Sequence, residues 1–180
     1  PVYLTVNPSE TETLTALADE FRLTRVGGLW RVLNLPSQVQ APSGKSIGTF
    51  ADSAGRSMEL LAYIAYPSAT LRAGDFGLLT LFWRAPQPIS ARFTVSFRLM
   101  DSQNRMVYQR DMEPASALRP TIGWSPNEIV QDDIGYFVPL DAAPGIYKLA
   151  IVVYNPASGE ELTVSSANII LDVGSANVTQ

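Results

Sequence analysis

Two spacings of apolar positions divide the chain. Between Asn7 and Phe21, Leu14, Leu17, Ala18 and Phe21 recur at helical spacing, while Glu10, Glu12, Asp19 and Glu20 occupy other faces. That pattern predicts one amphipathic helix. Asn7 is placed as its N-cap, Pro8 as its first residue and Glu10 as its third, an arrangement that satisfies the free amides of a first turn. Pro1–Val6 reads as a β run before the helix. Leu23–Val26 and Leu29–Leu33 read as short strands after it, split by a Gly27-Gly28 turn. Residues 1–35 are therefore expected to form a small β-α-β-β unit, too small to support a core alone.

Residues 36–46 hold Pro36, Pro42, Gly44 and several polar side chains, the composition of a linker. From residue 47 the period becomes two. Met58, Leu60, Ala62, Ile64 and Tyr66 fall on one face, as do Leu79, Leu81 and Trp83 in the next run. Phe93, Val95, Phe97 and Leu99 alternate with Thr94, Ser96 and Arg98. Ile134, Tyr136, Val138 and Leu140 follow, then Tyr147, Leu149, Ile151 and Val153, and last Asn168–Val173. The breaks carry turn residues, among them Asp101-Ser102-Gln103-Asn104, Ala143-Pro144-Gly145 and Asn155-Pro156. Six to eight short strands predict a mainly β fold over 47–174: an antiparallel β-sandwich, immunoglobulin-like or jelly-roll. Met112–Gln131 reads as a long connection containing proline, and 175–180 as a frayed tail.

Composition narrows the chemistry. The 180 residues include no Cys and no His. Thiolate metal sites, thiol nucleophiles and triads built on imidazole are excluded. No motif for a cofactor or a metal is visible, and no catalytic residue is assigned. The net charge of -4 has no basic cluster to set against it, so nucleic acid is not an expected partner. No apolar run reaches the roughly 20 residues of a membrane helix. A chain that starts on a strand from Pro1 is expected to be cut from a larger protein.

A longer pattern then emerges. Leu81-Phe82-Trp83-Arg84-Ala85 is followed by the Phe93–Asp101 run, Trp124-Ser125-Pro126-Asn127-Glu128-Ile129, Pro144-Gly145-Ile146-Tyr147-Lys148-Leu149 and Tyr154-Asn155-Pro156. This resembles the C-terminal β-sandwich of bacterial multi-pass membrane glycosyltransferases similar to protein O-mannosyltransferases. The opening strand, helix and Gly27-Gly28-Leu29-Trp30-Arg31-Val32 resemble the stretch after the last membrane span of such proteins. In that family the tryptophan element reads Trp-Xaa-Pro-Gly-Glu-Val, and here Asn127 replaces the Gly, a residue that also accepts a left-handed turn. The resemblance implies an accessory domain outside the cytoplasm, tethered through transmembrane helices that lie upstream. Its implied partners are the membrane-embedded part of the same polypeptide and a glycan or polypeptide acceptor. The family's catalytic carboxylates belong to the membrane part, and nothing here matches them.

The candidate carbohydrate-binding residues are the aromatics Trp124, Tyr108 and Tyr154, which an independent carbohydrate-binding module would present together. The competing reading of Trp124 is an anchor that pins the long connection to the sandwich. Trp83 and Tyr147 are expected in the core, Tyr147 bonding a backbone group as a corner tyrosine. Trp30 is expected between the small unit and its neighbour. Asp101, Asp111, Asp132, Asp133, Glu128, Glu160 and Glu161 are oxygen ligands in principle, but no spacing resembles a calcium loop. Asp101 and Asn104 read more simply as turn residues.

Overall fold

The computed structural model describes residues 2–4, 14, 16–17, 21–26, 29–33, 46–66, 70–164 and 171–179. The N-terminal unit contains β1 (Val2–Leu4), β2 (Arg22–Val26) and β3 (Leu29–Leu33), an antiparallel sheet ordered β1-β3-β2. Leu14, Ala16 and Leu17 are helical, as their spacing predicts. Leu14 is buried with Leu23 and Trp30, while Phe21 stands at the surface. The proposed cap Asn7-Pro8-Glu10, the Gly27-Gly28 turn and most of the 36–46 linker lie outside the described residues.

Ten further strands build the sandwich: β4 (Gly48–Ala51), β5 (Ser57–Tyr66), β6 (Leu71–Arg72), β7 (Phe76–Arg84), β8 (Thr94–Met100), β9 (Met106–Met112), β10 (Ile129–Phe137), β11 (Gly145–Tyr154), β12 (Thr163–Val164) and β13 (Leu171–Thr179). One sheet is ordered β10-β7-β5-β4-β12 and the other β6-β13-β11-β8-β9. Every pairing is antiparallel except that of β13 with β6. The fold is the mainly β, antiparallel sandwich that the alternation predicts. Leu79, Leu81, Trp83, Ile134 and Tyr136 from one sheet meet Val95, Phe97, Leu99, Tyr147 and Ile151 from the other. Phe97 of one sheet meets Tyr136 of the other at 4.8 Å, and within the β4–β7 sheet Phe50 stands edge-on to Trp83 at 5.5 Å.

Four expectations need correction. In β5 a bulge at Leu61 reverses the alternation, because Leu60 pairs with Trp83 and Ala62 with Phe82. Tyr63 and Ala65 therefore share the side of Leu81 and Leu79, and Ile64 and Tyr66 turn outward. β10 begins at Ile129, inside the expected connection, and Leu140 leaves it for a loop where it is 86% exposed. β9 is a strand that alternation did not predict. β13 runs through Thr179 with Val178 buried, where a frayed tail was expected from 175.

The small sheet packs on the sandwich through polar groups. Arg22 of β2 pairs with Asp133 of β10, its Nε donating to Oδ2 at 2.9 Å, and it also reaches Thr80 of β7. Thr80 donates to Asp133 Oδ1 at 2.7 Å. Thr24 donates to the Asp133 carbonyl and accepts from the Gly135 amide, both at 2.8 Å. Arg31 stacks on Phe76 at 3.7 Å. Trp30 clusters with Leu14 and Leu23, and Leu118 of the long connection packs against that cluster.

Candidate functional site

The three candidate aromatics do not come together. Trp124 is 4% exposed and joins the core, its Nε1 donating to the Arg119 carbonyl at 3.0 Å. A ring so covered offers no face to a sugar, so the stacking role is corrected for this residue. Tyr108 lies opposite Leu99 on the inner face, half-buried against Phe97 and Tyr136. Tyr154 lies opposite Thr94, whose side chain points to the other face. The two tyrosines thus sit five positions apart along β8 and on opposite sides of its sheet, so no shared platform forms.

What the fold assembles instead is an open groove of about 440 Å³ at the end of the sandwich where β8 and β10 finish. One wall is the β8–β9 turn, with Asp101, Ser102, Gln103 and Arg105; the other is the β10–β11 loop, with Pro139, Asp141 and Pro144. Val107, Ile146 and Tyr147 supply apolar surface between them. The pairing of β8 with β11 creates this site, because Lys148 stands opposite Met100 and brings loops forty residues apart side by side.

Both walls are held by their own bonds. Asp101 Oδ1 accepts the amides of Gln103 and Arg105 at 2.9 Å each, and Oδ2 accepts Arg105 Nε at 2.8 Å. These donors, the Arg105 amide first, hold the Asp101 carboxyl below its ordinary range. Asn104 takes φ 58°, which asparagine accepts at low cost. In the other wall, Tyr147 Oη donates to the Ala143 carbonyl at 2.8 Å, the corner bond predicted for it. Asp141, Ser102 and Gln103 make no side-chain hydrogen bond among the described residues. Arg105 is 72% exposed and spends only its Nε on Asp101.

A second polar cluster lies deep beside the small sheet. Asp132 points inward on β10, where burial pushes its carboxyl up to about 6 against the pull of Arg110 and the Ala115 amide. Ala115 N donates to Asp132 Oδ1 at 2.9 Å, and Arg110 Nη2 donates to Ser116 Oγ at 2.9 Å. Burial also lowers the Arg110 guanidinium. Ala115, Ser116 and Ala117 hold φ of 52°, 58° and 69°, each costing about 1–2 kcal/mol for a residue with a Cβ. This strained turn is clamped by Asp132 and by Ser116, which also accepts the Arg25 amide at 3.2 Å. No trio of candidate metal ligands converges among the described residues. Asn127 takes φ 63°, as its place in the tryptophan element predicts.

Sequence reasoning weighed Asp101 as an oxygen ligand and preferred to read Asp101, Gln103 and Asn104 as turn residues; it gave no site role to Gln103, Arg105 or Asp141. Both turns were visible as turns; the signal that unites them is the β8–β11 register, which no local pattern encodes.

No protein-family model matches the chain, and no curated protein matches it. Among solved structures the chain is similar to the C-terminal domain of wzt at 12% identity and a TM-score of 0.49, over 68% of this chain and 74% of that one. It is also similar to Pseudomonas fluorescens alkylpurine DNA glycosylase AlkC bound to DNA containing an abasic site analog, at 11% identity and a TM-score of 0.44, over 71% of this chain and 32% of that one.

Proposed function

We propose that this chain is a non-catalytic recognition domain outside the cytoplasm that positions an acceptor for the membrane-embedded part of a glycosyltransferase-like protein. The observation that carries the recognition role is the groove between residues 101–105 and 139–147, whose walls are tied by their own hydrogen bonds while several of their polar side chains are unspent. Walls tied in this way lower the ordering cost of binding. The chemistry favours holding over proton transfer. A general acid needs a pKa near the working pH, whereas Asp101 is held low by its own turn. Attachment to a glycosyltransferase rests on the sequence resemblance of the Trp83, Trp124 and Pro144-Gly145-Ile146-Tyr147 elements. The alternative is an independent carbohydrate-binding module of a cell-surface protein, using the same groove.

The test is made in the full-length polypeptide. Replacing Asp141 and Gln103 together by Ala should raise the KM for acceptor and leave donor-sugar hydrolysis unchanged. Acceptor transfer unaltered by the double substitution sinks the positioning role. A gene whose upstream region encodes no series of apolar helices favours the independent module.

A further inference from the structure

We infer that the groove binds a short, uncharged saccharide. The inference deepens the recognition reading and takes its biological use from it. Three observations point to that chemistry. The first is the set of unspent groups. Asp141 offers acceptors, the free guanidinium nitrogens of Arg105 offer donors, and Gln103 and Ser102 offer both. Each sugar hydroxyl is itself a donor and an acceptor, so a mixed set of this kind matches it. Beside these groups, Val107, Pro144 and Ile146, the last 63% exposed, present apolar surface to the C–H faces of a ring. The volume of about 440 Å³ lies within the range of roughly 300–1,000 Å³ typical of small-molecule sites.

The second observation is charge. Asp101 and Asp141 against Arg105 leave the lining at a formal -1 (two carboxylates less one guanidinium), and Arg105 is already shared with Asp101. A carboxylate or phosphate ligand would meet a net repulsion, so an uncharged ligand fits better than an acidic one.

The third is that the backbone of the walls is largely spent. Asp101 N donates to the Arg105 carbonyl, Asn104 N to the Asp101 carbonyl and Ala142 N to the Pro139 carbonyl, at 2.9–3.0 Å. A polypeptide that adds to a sheet needs a row of free amides and carbonyls. These walls offer side chains instead, which favours a saccharide over an extended peptide.

The experiment titrates the isotope-labelled 180-residue chain with maltose, cellobiose, chitobiose and mannobiose, with cellobiuronic acid as the acidic counterpart and a lysine-rich heptapeptide as the cationic one. Amide shifts are followed at Ser102, Gln103, Asp141 and Ile146. At least one neutral disaccharide should shift these amides, and cellobiuronic acid should bind about tenfold more weakly or worse. Asp141→Ala should weaken neutral binding about tenfold, the effect of losing one charged hydrogen bond. Its melting temperature should not move, because Asp141 holds no partner in the fold. The inference is overturned if no neutral disaccharide shifts these amides at millimolar concentration, if only the heptapeptide does, or if Asp141→Ala leaves affinity unchanged. Saccharide binding by the chain with unaltered acceptor transfer in the full-length protein would remove the positioning role and leave this inference standing. Altered transfer without saccharide binding would do the reverse.

Discussion

Two hairpin turns at opposite ends of the sandwich share the frame Asp-Ser-Xaa-Xaa-Arg and are used differently. Asp52-Ser53-Ala54-Gly55-Arg56 joins β4 to β5, and Asp101-Ser102-Gln103-Asn104-Arg105 joins β8 to β9. In each, the aspartate accepts the amides two and four residues on, pairs with the arginine Nε, and bonds its backbone amide to the arginine carbonyl. Each places its fourth residue at positive φ. The surroundings differ. The Asp52 side chain is fully covered, Glu160 accepts the Ser53 amide, and Arg56 leans toward the Phe93 ring. The second turn faces the groove, with Arg105 in solvent. Local sequence dictates the turn; only the neighbouring loop decides whether it closes a sheet end or forms the wall of a site.

That comparison can be broken by substitution. Asp52→Ala should cost about 2–4 kcal/mol, since it strips three donors of a buried acceptor and leaves Arg56 unpaired. Asp101→Ala should cost less in the same urea denaturation, because Arg105 stands 72% exposed and solvent takes over its bond, whereas Arg56 is only 29% exposed; the two carboxylates themselves are both covered. Equal losses would show that burial does not separate the two turns.

A third carboxylate sharpens the contrast through pH. Asp132 is raised to about 6 by burial, above an unfolded value near 4. The folded state therefore holds the proton more tightly. The stability it contributes is complete below about pH 4 and is lost as pH rises through about 6, up to roughly 3 kcal/mol. Asp101, lowered by its turn, acts in the opposite sense: its contribution is present above about pH 4 and disappears as pH falls through its folded value. Thermal melts from pH 3 to 7 should show a slope between about 4 and 6 that Asp132→Asn flattens. An unchanged profile in that variant would falsify the assignment.

Smaller effects test the turns' fourth residues. Gly55 has φ 79° and nothing within 4 Å of an added Cβ. Gly55→Ala should therefore cost about 1 kcal/mol, all of it backbone strain. Asn104→Gly should stay within about 0.5 kcal/mol of wild type, since asparagine already tolerates the left-handed region. Calorimetry on the pair reads both, and a larger loss for Asn104→Gly would reverse the comparison.

The strands whose inward residues recur at period two were legible, even where the other face is buried as well. β7, β8 and β11 carry Leu79 to Trp83, Val95 to Leu99 and Tyr147 to Val153 at period two, and they form the core. β9 was not legible, because it is an edge strand whose inward positions include Arg110, satisfied by Ser116 and the Arg25 carbonyl. The reversal in β5 escaped notice because a bulge adds one residue without leaving a composition signal. Of the candidate site, the Asp101 turn and the Tyr147 corner were readable as local chemistry. The groove was not, since it exists only where β8 and β11 align. The aromatics proposed for sugar stacking were chosen by residue type, and their placement depends on sheet faces and on the path of the 113–128 connection.

The hold of Thr24 on β10 has a further consequence. β10 ends its sheet, with β7 on one side and no strand paired on the other among the described residues. An open strand edge is a template on which a second molecule can add. Here one hydroxyl occupies the Asp133 carbonyl and the Gly135 amide, and the threonine methyl sits where a Cβ on Gly135 would come within 2.7 Å. Glycine at 135 lets the covering strand approach that closely. A chain lacking the small sheet should leave the Asp133 carbonyl and the Gly135 amide of this edge unpaired, a place where a strand of a second molecule can add.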